Sequence, residues 1–238
     1  MPTTGKFFDT LVLIVLENHG WAQVQQCKFV SYFRQHGVVF TGWRGVTHPS
    51  GPNYRAMLSG NKWSGNEFDG VQRPNLGRSV DYKIYQYRGV PAPRHNPFLD
   101  MNPQDARATK FISPPLNDSE LANLTYLGLD DANNAHTGID ALSIADNNVV
   151  QAINEFNGLS AGGRKLLLTV FDEAYGSDYS SNRVFAGAIG TDIKPKLVHS
   201  QISHYALAQF LGDNWGVEFP EMDPEGDTYA GSSLLDLP

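Results

Sequence analysis

Cysteine is nearly absent from this chain: Cys27 stands alone among 238 residues, which excludes an internal disulfide and a thiolate-rich metal centre. An excess of positive charge is missing as well. Lys and Arg number 18 against 25 Asp and Glu, for a formal net charge of -7. With no Lys/Arg cluster beyond scattered pairs, the chain lacks the electrostatic footprint of a sequence-independent nucleic-acid binder. Long hydrophobic runs are also missing. None approaches the roughly 20 apolar residues that a membrane-spanning helix requires, so no stable membrane insertion is expected. The first ten residues hold neither a basic region nor an apolar stretch with a cleavage site. The chain as it stands reads as cytoplasmic, or as secreted or periplasmic if it is a trimmed mature form. Neither a heptad pattern nor an exposed apolar face assigns an oligomeric state.

Hydrophobic residues make up 41% of the chain and aromatic residues 11%, enough for one sizeable core, and a single domain over 1–238 is expected. Short aliphatic and β-branched runs alternate with stretches of helical period, the pattern of buried parallel strands joined by helical crossovers. Strands are expected at 10–16, 38–41, 124–129, 165–171 and 183–188. Helices are expected from Trp21 to His36, over the i, i+3, i+4 series from Leu142 to Phe156, and from His204 to Leu211. The segment 61–115, rich in Gly, Pro, Asn and Arg with one strand at Tyr82 to Tyr87, reads as a loop-rich insertion over the active face. The tail from Glu218 to Pro238 reads as loosely attached.

In an open α/β sheet the residues just past the carboxyl ends of the strands converge on one crevice. Glu17 and Asn18, after the run Leu11 to Leu16, meet that condition, and so do Asp172 and Glu173, after Leu166 to Phe171. Such oxygen donors suit a hard divalent cation, and a hydroxyl coordinated to that cation becomes a competent nucleophile. Ser50, in Thr47-His48-Pro49-Ser50-Gly51-Pro52-Asn53-Tyr54, stands at the mouth of an expected helix, where the dipole stabilises an anion. Asn53 is placed to donate to the same anion. A second cluster, Asp130 to His136, mixes oxygen donors with imidazole as borderline metals prefer. His204 is the expected partner of His136 in a second metal site.

These motifs, in this order, resemble the phosphoesterase family of acid phosphatases and phosphatidylcholine-type phospholipases C, within the alkaline phosphatase superfamily. Leu16-Glu17-Asn18-His19 is similar to its first metal-ligand motif and the Ser50 stretch to its nucleophile motif. Arg94-His95-Asn96-Pro97-Phe98 resembles a loop around the site, Thr169-Val170-Phe171-Asp172-Glu173 its metal-binding "TFDE", and Ser203-His204-Tyr205 through Trp215-Gly216 its C-terminal motif. The resemblance implies a three-layer αβα sandwich around a mostly parallel sheet. It implies a metal-dependent phosphoric ester hydrolase in which Ser50 forms a phosphoserine intermediate. Glu17, Asn18, Ser50, Asp172 and Glu173 would hold one divalent ion (Ca, Mg, Mn or Zn), and His136 and His204, with one of Asn133, Asn134 or Asp131, would hold a second or, without one, act as phosphate ligands and leaving-group acid. Asn53, His136 and His204 would act on the phosphoryl group, with His95, Asn96 and Tyr54 as substrate contacts. Two positions depart from the pattern: Ala132 stands where an Asp is common, and Gly51 replaces a bulky apolar residue.

The expected substrate is a phosphorylated small molecule, preferably a monoester, because Arg73, Arg78, Arg88 and Arg94 in the polar segment 61–115 suit an anionic ligand. A phospholipid headgroup diester is the enzymatic alternative, with Tyr82, Tyr85 and Tyr87 as a cage for a quaternary ammonium. The alternative of another class is a catalytically idle relative that binds metal or phosphate.

Overall fold

Every residue of Thr10–Leu16 is buried, as a continuous aliphatic run requires when both faces of its strand are covered. The computed structural model, which describes residues 4–65, 68–160 and 163–223, makes this run strand β1. In chain order there follow α1 (Lys28–His36), β2 (Val38–Phe40), β3 (Trp43–Arg44), α2 (Ser50–Ser59), β4 (Tyr82–Arg88), α3 (Pro97–Met101) and β5 (Phe111–Ile112). Then come β6 (Leu124–Leu129), α4 (Ala141–Gly158), β7 (Lys165–Phe171), β8 (Ala186–Gly190), β9 (Lys196–Val198), β10 (Ile202–Ser203) and α5 (His204–Trp215). Eight strands form one sheet in the order β5-β4-β6-β1-β7-β8-β2-β9, and β3 pairs with β10 apart from it. β8 runs antiparallel to both of its neighbours; the other pairings in the sheet are parallel. Helix α1 packs on α4, and α2 packs on α5 and α3, so helical layers flank the sheet in a three-layer αβα sandwich. None of the helices among the described residues is long and apolar enough to cross a membrane.

Strand register places the chemistry. β1 and β7 run in step until Leu16 faces Phe171, so Glu17 and Asp172 leave the sheet side by side. Helix α2 begins at Ser50 and stops at Gly60, whose left-handed φ of 72° lets its N–H return to the Ala56 carbonyl at 3.0 Å. This is a glycine C-cap, in a conformation that a side chain would strain.

The expected first helix is shorter than its periodicity suggests. Residues 21–26 form turns, and the helix starts at Lys28 because the Asp146 carboxylate of α4 accepts the Lys28 and Phe29 N–H groups at 3.0 Å each. A cap supplied by another helix leaves no trace in local sequence. The strand expected at 183–188 lies at 186–190, and the last helix continues to Trp215. Segment 61–115 supplies β4 and β5 to one side of the sheet, with β4 paired to β6. Of the expected loose tail, 224–238 lies outside the described residues; Asp223 accepts the Lys62 N–H and the Tyr205 hydroxyl.

Candidate active site

Three acids meet one hydroxyl at the carboxyl ends of β1 and β7. The Ser50 Oγ lies 3.0 Å from Glu17 Oε2 and 2.8 Å from Glu173 Oε1, and its single hydrogen serves one carboxylate at a time. One turn along α2, the Tyr54 hydroxyl donates to the other Glu17 oxygen. Asn18 takes a left-handed φ of 56°, which turns its N–H to Asp172 Oδ1 at 3.1 Å. Asp172 Oδ2 is buried without a hydrogen-bond partner. Burial, reinforced by the Glu17 and Glu173 charges, raises the Asp172 pKa well above the ordinary carboxylate value. Three buried carboxylates around a hydroxyl, one with an orphaned oxygen, fit a hard divalent cation in donor type and charge.

A second group stands on the other side of Glu17. Ligand atoms of Glu17, His95 and His136 lie within 4.8 Å of one another. His95 is fully buried; its Nδ1 bonds Asp131 Oδ1 at 3.0 Å, while Nε2 faces Glu17 Oε1 at 3.3 Å without a hydrogen bond. Arg94 holds the second Asp131 oxygen at 3.1 Å. The hydrogen bond from His95 draws the Asp131 pKa down to about 2. Asp131 thus orients the His95 ring, as outer carboxylates do for metal-binding imidazoles. Asn134 sits alongside: its Oδ1 accepts the His136 N–H at 2.9 Å, and its buried Nδ2 has no partner.

Several expected roles do not survive the geometry. His204 is not brought to His136: its Nδ1 accepts the Trp43 indole N–H at 3.0 Å and its Nε2 bonds the Asp172 carbonyl. Burial lowers its pKa to about 4, so it is a neutral brace behind Asp172, with no nitrogen left for metal or leaving group. The Asn53 Oδ1 accepts the Val46 and Thr47 N–H groups at 2.8 and 3.3 Å, and its Nδ2 donates to the Thr47 and Pro49 carbonyls at 2.9 and 3.2 Å. It clamps the loop before Ser50 and has no donor left for phosphate. Asn96 caps α3 through Leu99 N–H and donates to the Ala108 carbonyl, which makes it structural. Tyr54 is fully buried beneath Glu17 and orients that acid, out of reach of substrate. Tyr82, Tyr85 and Tyr87 are core residues with no open cage between them, and Tyr82 stacks on Phe98 at 4.0 Å. Arg73 and Arg88 are engaged by Asp69 and Gln151; Arg94 is bonded to the site, through Asp131.

Sequence reasoning assigned nothing to His48. Its Nδ1 pairs with Glu173 Oε2, its Nε2 meets the Tyr179 carbonyl at 3.0 Å, and its ring stacks on Tyr179 at 4.0 Å. Asn182 ties the same loops together, donating to the Thr47 carbonyl at 2.9 Å and accepting the Ala174 N–H at 2.7 Å. The signal for His48 was its place in the Ser50 motif; Asn182 gave none.

No family model matches the chain. A phosphate-repressible acid phosphatase of Penicillium chrysogenum is 25% identical over 256 aligned residues, covering 90% of this chain and 60% of that protein. A phosphatidylinositol-3-phosphatase of Mycobacterium tuberculosis is 22% identical, covering 88% of this chain and 78% of its own length. A solved Vibrio parahaemolyticus protein of the alkaline phosphatase superfamily superposes with a TM-score of 0.64 at 13% identity, over 91% of this chain and 68% of that one. A 2-O GAG sulfatase superposes with a TM-score of 0.61 at 15% identity, over 96% and 75%. The chain therefore has the fold of the alkaline phosphatase superfamily, and its sequence relatives are acid phosphatases and a phosphoinositide phosphatase, in line with the ordered motifs.

Proposed function

We propose that the chain is a metal-dependent phosphoric ester hydrolase acting on monoesters, with Ser50 as nucleophile. The carrying observation is the Ser50 hydroxyl held between Glu17 and Glu173 at the first residue of α2. The phosphatase names of the relatives support the same reading.

Glu17, Asn18, Asp172 and Glu173 would hold a divalent ion beside Ser50, which when bound supplies Lewis-acid stabilisation of the Ser50 oxyanion and of phosphoryl charge. Glu173, already hydrogen-bonded to the hydroxyl, takes its proton as Oγ attacks phosphorus. The Oγ–P bond forms, the ester P–O bond breaks, and the alcohol leaves with a proton from His136, whose Nδ1 is engaged by Thr137. Water then attacks the phosphoserine and gives one proton to His136, the P–Oγ bond breaks as Glu173 returns to Ser50 Oγ the proton it took, and phosphate is released with the second water proton. The N–H groups at the start of α2 stabilise the transferring charge. His95 Nε2 and Glu17 would be the further ligands for a second cation, and His136 would join them only in place of its role as acid, because its Nδ1 is engaged by Thr137.

The test is hydrolysis of 4-nitrophenyl phosphate and 4-nitrophenylphosphorylcholine by the wild type and Ser50→Ala, after EDTA and after single divalent metals are restored. Metal-restored turnover should fall by on the order of 10³-fold or more in Ser50→Ala. Faster turnover of the choline diester would move the reading to a phospholipase C-type enzyme. Metal and phosphate binding without Ser50-dependent turnover would make the chain an idle relative.

A further inference from the structure

A cleft of about 240 Å³ adjoins this site, lined by Asn18, His19, Gln23, Ala135, His136 and Tyr175. It shares Asn18 and His136 with the groups proposed to act on phosphorus, so an organic substituent on that phosphorus has this cleft beside it. The outermost wall is Tyr175, two residues past Glu173 and 63% exposed. Its ring meets Tyr179 edge-on at 6.5 Å, and Tyr179 in turn stacks on His48. The exposed ring is thus braced from behind, through the same residue that pairs with Glu173. A supported aromatic face offers contact area to a planar or apolar group at little cost in side-chain entropy.

Charge sets the other half of the selection. The cleft lining holds no Lys or Arg, while Glu17, Asp172 and Glu173 are its acidic neighbours. The polar atoms of the wall belong to amides, imidazoles and a phenol, which can bond a hydroxyl, and the wall has no permanently charged cation to pair with a second anionic group. Arg94, the arginine bonded to the site, is committed to Asp131 behind His95.

We infer that this cleft seats the alcohol portion of the substrate and that Tyr175 selects for a planar or apolar, uncharged alcohol over one bearing a second anionic group. The inference rests on the phosphoesterase reading and specifies its substrate class.

Phosphonates test it by binding, without the bias of leaving-group chemistry. Phenylphosphonate, methylphosphonate and phosphonoacetate are titrated calorimetrically into the metal-loaded wild type, Tyr175→Ala and Tyr175→Phe, with thermal melts confirming folded protein. The wild type should bind phenylphosphonate most tightly and phosphonoacetate most weakly. Tyr175→Ala should weaken phenylphosphonate roughly three- to ten-fold, leave methylphosphonate within about two-fold, and be rescued by Tyr175→Phe. An unchanged phenyl-to-methyl ratio in Tyr175→Ala, a preference for phosphonoacetate, or failure of a turnover-competent enzyme to bind any of the three overturns the assignment. Ser50-dependent hydrolysis of 4-nitrophenyl phosphate is read on the same preparations. Its loss sinks the phosphoesterase reading itself, and its presence confines a negative result to the cleft.

Discussion

His48 governs the carboxylate that meets the Ser50 hydroxyl. One imidazole nitrogen holds Glu173 Oε2, the other the Tyr179 carbonyl, and Glu173 Oε1 faces the nucleophile at 2.8 Å. The two nitrogens can be separated by substitution, because an Asn amide nitrogen falls near the Nδ1 position and a Gln amide nitrogen near Nε2. His48→Ala should lower kcat about ten- to a hundred-fold with KM little changed, the scale typical of residues that orient a ligand. His48→Asn should recover part of that loss, and His48→Gln little of it. Steady-state kinetics beside titration of the divalent ion check this; equal losses in all three variants would reduce His48 to a packing role. At this scale the sequence was partly legible. Glu17, Ser50, Asp172 and Glu173 announce themselves by following a strand or opening a helix. The meeting of His95 with His136 and Glu17 does not, since it depends on how the 93–96 segment packs on α2 and on Tyr126 of β6.

Strands were easier to read than helix ends. The runs at 10–16, 124–129 and 165–171 match β1, β6 and β7 to the residue, because a strand buried on both faces must be continuously apolar. The start of α1 was illegible, since Asp146 caps it from 117 and 118 residues away. Helix α5 shows a similar long-range tie. Asn214 accepts the Phe7 and Phe8 N–H groups at 2.8 and 3.1 Å and donates to the Phe8 carbonyl at 3.0 Å. Asn214→Ala orphans three buried backbone groups and should cost about 2–4 kcal/mol. Urea unfolding followed by circular dichroism checks this, with a change below about 0.5 kcal/mol against the assigned role.

Taken whole, the molecule gathers the buried carboxylates of Glu17, Asp172 and Glu173 at one point, and stability should report that. Burial and the neighbouring acids raise the folded-state pKa of Asp172 above the unfolded value of about 3.9. Metal-free protein is therefore favoured by this group below that pH and loses its contribution as pH rises toward the folded value. Melting temperature in EDTA should fall as pH rises above about 4, the unfolded carboxylate value, and Asp172→Asn should flatten that fall. A divalent ion at about 100 times its Kd should restore roughly 2.7 kcal/mol, on the order of 5–10 °C, most visibly at neutral pH. Melts that are unaltered by Ca, Mg, Mn and Zn across that range would argue against a cation among these acids.

The amino-acid order alone carried the fold class, the buried strands and the acids and hydroxyl that follow them, because hydrophobic period and strand-end position are local properties of a chain. Folding in three dimensions assigned the partners. It gave His95 the place expected of His204, turned His204 into a brace for Asp172, spent the Asn53 amide on its own loop and made His48 the keeper of Glu173. All but the Asn53 clamp follow from strand register and from loops meeting across more than thirty residues, as when Leu16 faces Phe171. Those pairings minimise buried unsatisfied polar groups over the whole molecule, a condition that no short stretch of sequence can express.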